Sequence, residues 1–125
     1  MFGTLLQIAI GGALGAMARF GTQSLALRLF GPTFPIGTLA ANVLGSFLMG
    51  LAVAWLVDRE FARFLPFATV GFLGAYTTFS TYALDALRLW EKGEAMLALG
   101  YVIGSVVLCI AACLAGLGLG RSLMS

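Results

Sequence analysis

Four stretches of this chain, 1–18, 36–57, 65–84 and 95–120, carry no charged residue. Each approaches or exceeds the ~20 residues that a helix needs to cross ~30 Å of hydrocarbon. None shows the polar face that a helix of a water-soluble bundle turns to solvent. The composition agrees, with 61% hydrophobic and 10% charged residues among 125. The expectation is an all-α membrane protein of one domain, residues 1–125, with four transmembrane helices.

The first stretch lacks a basic leader and a small-residue cleavage site, so it is expected to be a span and not a cleaved signal. A net charge of +2 is too small to imply nucleic acid, and histidine is absent. Cys109 and Cys113 lie one turn apart on one stretch, a poor geometry for a disulfide and not a metal motif. They are expected to pack as small apolar side chains. No nucleophile–base pair, metal cluster or phosphate-binding loop is present, which argues against an enzyme.

Along the chain, Gly11 and Gly15 form a small-xxx-small pair suited to close helix contact in lipid. Gly31–Pro32 marks a turn, and Pro35 starts the second span. Residues 58–63 (DREFAR) form a short charged connection, and residues 91–94 (EKGE) a tight turn. Four spans put both termini on one side with Arg59, Arg63 and Arg121, against Arg28, Arg88 and Lys92 on the other. This balance gives no preferred orientation, so dual topology stands beside a simple weak bias.

The polar residues within these stretches are few. Arg19 is either an anchor near the membrane edge or a fixed positive charge in a wet vestibule. Thr38, Asn42 and Ser46 recur every fourth residue along one helix face, as helix glue or as a polar pathway. Tyr101, Ser105 and Cys109 repeat the pattern on the last span, although a serine can also satisfy itself on its own helix backbone. The third span carries the strongest signal. Gly71 and Gly74 precede the β-branched pair Thr77–Thr78, so a break near the middle is expected. Freed carbonyls there are tolerated only under protein or water, and can bind a small hard cation. Phe79 and Tyr82 share a face beyond the break; aromatic pairs usually just pack, but their ring edges can face an anion without gripping it. Neutral donors and ring edges suit an anion that must shed water and still leave.

Three blocks, GGALGAMARF (11–20), PIGTLAANVLGSF (35–47) and GFLGAYTTFSTY (71–82), closely resemble the small fluoride channels called Fluc or CrcB. The resemblance covers most of the chain. It implies an antiparallel, dual-topology homodimer with two fluoride pores, exporting fluoride passively from the cytoplasm across a bacterial inner membrane. It places Asn42, Phe79 and Tyr82 in the pore, with Tyr101 and Ser105 on a polar track that Ser80 and Thr81 join. It places the backbone carbonyls of Gly74 and Thr77 on a central structural sodium, and Arg19 at the vestibule. Two opposed copies giving two carbonyls each would supply four.

Three departures matter. Tyr82 stands where the family commonly has Phe, Cys109 where some members extend the hydroxyl track, and Asp85 where the longer Glu is frequent. Asp85 is expected at the membrane interface, with a part in gating or hydration as the alternative. Two other functions fit a short four-span chain. A proton-coupled multidrug exporter needs a membrane-embedded glutamate in the first span, which has no acid. A non-conducting scaffold would use every polar stripe as glue.

Overall fold

The computed structural model describes residues 1–57 and 60–124. Asp58 and Arg59, half of the charge counted in the expected connection, lie outside the described residues. The elements are α1 (Phe2–Phe30), α2 (Ile36–Leu56), a 3₁₀ turn (Glu60–Phe64), a π-helical segment (Pro66–Leu73), α3 (Gly74–Tyr76), α4 (Ser80–Glu91) and α5 (Ala95–Met124). The described residues are all helix and connection, with no strand. Three helices, α1, α2 and α5, are long and apolar enough to cross a membrane. The third expected span is instead a chain of shorter pieces running from Pro66 to Glu91.

The ends of these helices follow from a few residues. Gly31 takes φ 77° at the end of α1, its N–H still reaching the Leu27 carbonyl at 2.9 Å. Beyond α4, Gly93 takes φ 83° and Glu94 N–H closes onto the Leu89 carbonyl at 3.0 Å, which reverses the chain into α5. The π-helical segment opens at Pro66, whose ring carries no N–H. Gln7 Oε1, from α1, accepts the next free donor, Phe67 N–H, at 3.2 Å.

Two close crossings hold the pieces together. A methyl on Gly15 would run into the Phe72 carbonyl, and one on Gly11 into Phe67, so the expected small-residue stripe seats α1 on the π-helical segment. On the other side α2 lies along α5, where a methyl on Gly50 would strike the Cys113 carbonyl and one on Gly116 the Phe47 carbonyl. The buried positions are mainly glycine, alanine and small hydroxyls, while Phe2, Phe20, Ile110 and Leu114 are largely exposed. In water such a surface would associate; in lipid it is the solvated face, and close packing replaces a thick core. One aromatic cluster, Tyr82, Leu89, Ala98 and Tyr101, ties α4 to α5.

Candidate functional site

The break sits at Thr77–Phe79. Tyr76 ends α3, Thr77 swings to φ −84° and ψ 157°, and α4 begins at Ser80. An unbroken helix would aim Thr78 N–H at the Gly74 carbonyl. Here that N–H donates to Asn42 Oδ1 at 2.8 Å, and Asn42 Nδ2 donates back to the Thr78 carbonyl at 3.0 Å. One amide therefore satisfies both backbone groups of a single residue, as a neighbouring antiparallel β-strand would. Thr81 N–H, which would otherwise point at the Thr77 carbonyl, donates to Thr78 Oγ1 at 3.2 Å, just ahead of α4. The carbonyls of Gly74 and Thr77 thus each lose the N–H four residues on. The Thr77 hydroxyl and N–H both donate to the Leu73 carbonyl, each at 3.0 Å, which ends the preceding turn firmly.

Below the break lies a cavity of about 310 Å³, lined by Asn42, Ser46, Thr77, Phe79, Tyr82 and Ser105 among others. Its polar complement is neutral. One Asn42 N–H remains uncommitted after the bond to Thr78. Ser105 Oγ is fully buried and has no hydrogen-bond partner among the described residues. The expected alternative, a serine bonded to its own helix, does not hold. Ser105 lines the cavity, and its hydroxyl is a buried polar group that no described neighbour satisfies. The Phe79 and Tyr82 rings meet edge to face, centroids 5.4 Å apart. The Tyr82 hydroxyl donates to the Val102 carbonyl at 2.7 Å, so its proton is spent on α5 and leaves the cavity a ring. The N-terminal end of α4, the positive end of its dipole, opens at this same level.

Above it, a second cavity of about 430 Å³ includes Gln23, Thr38, Thr81, Asp85, Arg88 and Lys92 in its lining. Gln23 Nε2 donates to Thr38 Oγ1 at 3.2 Å, and Thr38 donates on to Asp85 Oδ2 at 2.8 Å. Tyr101 donates to the same oxygen at 3.4 Å. Residues from α1, α2 and α5 therefore converge on one carboxylate of α4. Tyr101 and Thr38 are buried, whereas Asp85 is half-buried.

The sequence-selected residues thus divide between two levels. Asn42, Phe79, Tyr82, Thr77 and Ser105 share the lower cavity, and Thr81 lines the upper one. Tyr101 lies between them, its ring 5.3 Å from Tyr82 and its hydroxyl on Asp85. The stripe Thr38–Asn42–Ser46 runs from the upper cavity to the lower, one turn at a time. Gly74, Phe79 and Ser80 are exposed, Phe79 at 78%. Arg19 is half-buried, lines neither cavity and has no ion pair among the described residues. The positive charges that do line the upper cavity are Arg88 and Lys92, which in the sequence bear only on topology. Gln23 was also missed. It sits four residues beyond Arg19 on α1, a spacing that puts it near the same helix face.

Comparison with known proteins places the chain. Residues 6–117 match the family described as CrcB-like protein, Camphor Resistance (CrcB). A Paracoccus denitrificans protein named fluoride-specific ion channel FluC is 53% identical over 122 residues, covering 98% of each chain. A protein of the same name from Cereibacter sphaeroides is 50% identical over all 125 residues, and one from Rhizobium etli is 46% identical over 122. These relatives are named as ion channels and not as enzymes. With three membrane-capable helices and matches over nearly its whole length, this multi-pass membrane protein belongs to the CrcB family.

Proposed function

We propose that the chain is a passive, fluoride-selective channel that works as an antiparallel homodimer. The observation that carries this reading is the lower cavity: an orphaned buried serine hydroxyl, one free amide N–H and two aromatic rings, with no charged side chain among its lining residues. Fluoride is small and strongly hydrated, so its passage needs donors that replace water. A lysine or arginine at the same place would hold it too tightly to leave. The names of the curated relatives support fluoride as the ion.

The exposed backbone supports the homodimer reading. Irregular backbone is not tolerated against acyl chains, yet the break exposes Gly74, Phe79 and Ser80 on one copy. A second copy covers that surface most economically. The even split of basic residues between the two sides suits an inverted partner, giving two pores per pair.

A sodium ion at the pair's centre fits the donor set. The Gly74 and Thr77 carbonyls of each copy, deprived of their helical N–H partners, are the oxygens that would hold it. When bound it supplies a fixed positive charge against aligned carbonyl dipoles. The chain's own residues do the rest. Asn42 keeps the Gly74 carbonyl free by taking Thr78 N–H, and Thr78 Oγ1 keeps the Thr77 carbonyl free by taking Thr81 N–H. Thr38, Thr81 and Tyr101 carry the polar path from the upper cavity, where Arg88 and Lys92 raise the local anion concentration. Arg19 takes its vestibule role by motif position alone. Export from the cytoplasm then runs down the gradient across a bacterial inner membrane.

The test is release of fluoride from liposomes containing the purified protein, read with a fluoride electrode, beside chloride-loaded liposomes. Fast fluoride release with chloride retained supports the reading. Equal release of both ions defeats it. A scaffold would release neither.

A further inference from the structure

We propose that the lower cavity contains a soft-metal site, made of Cys109 and Cys113 with Met49, through which a thiophilic monovalent cation of the copper(I) or silver(I) type shuts the pathway. The proposal rests on the reading of that cavity as the pore. Both cysteines are free, both are half-buried, and both line the cavity from α5. Met49 lines it from α2, the helix packed along α5 at Gly50 and Cys113. Three sulfur-bearing residues thus line one space of about 310 Å³ whose remaining polar lining residues are neutral.

Spacing decides what two such thiols can do. Side chains four residues apart on a helix hold their Cβ atoms ~5–6 Å from each other. A disulfide needs Cβ atoms ~3.5–4.5 Å apart, so direct oxidation between these two is disfavoured. A bridging ion with metal–sulfur bonds of ~2.3 Å, the length seen for zinc, spans the longer gap. Thiolate and thioether donors select soft ions, and a pair of thiolates with one thioether is a donor set of that kind. Ser105 Oγ lies one turn from Cys109, buried and without a partner, so a polar ligand is missing from this wall in any case. Binding is a proton exchange. Two thiols and one silver ion give a bridged dithiolate and two protons, which leave to water. The product carries one negative charge where fluoride must pass, and it fills the space beside Asn42 and Phe79.

The experiment uses silver ion alone, in chloride-free nitrate buffer because chloride precipitates silver. Silver bound per chain is counted on purified protein by mass spectrometry of the intact complex. Fluoride release from liposomes is read in parallel, each protein being normalised to its own silver-free rate. The wild type is expected to bind one silver ion per chain. Its release should fall at least about tenfold, equivalent to 1.4 kcal/mol, with recovery on adding dithiothreitol. The Cys109→Ala/Cys113→Ala protein should bind none and keep its rate, and Met49→Leu should need more silver for the same block. No silver on the wild type, or an equal block in the double-alanine protein, overturns the proposal. If no protein releases fluoride even without silver, the channel reading fails, and the silver count still judges the sulfur site by itself.

Discussion

Asn42→Leu is the most informative single change, because it keeps volume and removes only the amide. In the native chain this amide satisfies both the N–H and the carbonyl of Thr78, at 2.8 and 3.0 Å, and Thr78 is only 7% exposed. Leucine leaves two buried backbone groups unpaired. At about 1–3 kcal/mol for each such group, the direct loss is about 2–6 kcal/mol. Part of it can be recovered in one way: Thr78 N–H turns back to the Gly74 carbonyl and the helix closes over its break. The expected loss therefore falls at the lower end, about 2–3 kcal/mol. Closing the break also withdraws the Gly74 carbonyl from any cation. Unfolding in mixed micelles with a denaturing detergent measures the stability, and fluoride release from liposomes measures the function. The variant should be destabilised and at least about tenfold slower, the factor that 1.4 kcal/mol confers. A protein with stability within about 0.5 kcal/mol of wild type and unchanged release would refute the claim that Asn42 holds the break open.

Further expectations concern other parts of the same framework. Gly116→Ala places a methyl against the Phe47 carbonyl at the α2–α5 crossing, so it should cost about 1–3 kcal/mol in the same unfolding assay. Tyr82→Phe removes the hydrogen bond to the Val102 carbonyl and leaves the ring in place; a loss of about 1 kcal/mol with fluoride release retained is expected. Arg88→Gln with Lys92→Gln should slow release several-fold at low ionic strength. The difference should vanish near 1 M salt, where the screening length is ~3 Å, if these charges act by concentrating anions.

The sequence and the structure agree best where a pattern is local. Uncharged runs mark α1, α2 and α5 because a span must satisfy its own backbone, and length plus apolarity express that directly. The break was legible too, since Gly71, Gly74 and the pair Thr77–Thr78 are poor helix formers next to one another. What spacing does not reveal is who holds the break open. Asn42 and Thr78 are 36 residues apart, and Thr38 and Asp85 are 47 apart. Those pairings exist only because helix crossings at glycine bring the elements together. The π-helical form of Pro66–Leu73 is illegible for the same reason, being set against α1 at Gly11 and Gly15. Asp85 accepts from both Thr38 and Tyr101, partners that neither its own position nor its neighbours in sequence announce.

Ion selectivity at a neutral, broken-helix site is what separates a fluoride channel from a general pore. The direct measurement is the reversal potential across a planar bilayer holding the purified protein, with potassium fluoride on one side and potassium chloride on the other. A potential set by the fluoride gradient, with chloride contributing negligibly, is what neutral donors in place of a hydration shell predict. A potential that ignores which halide is present, or one set by potassium, would contradict it.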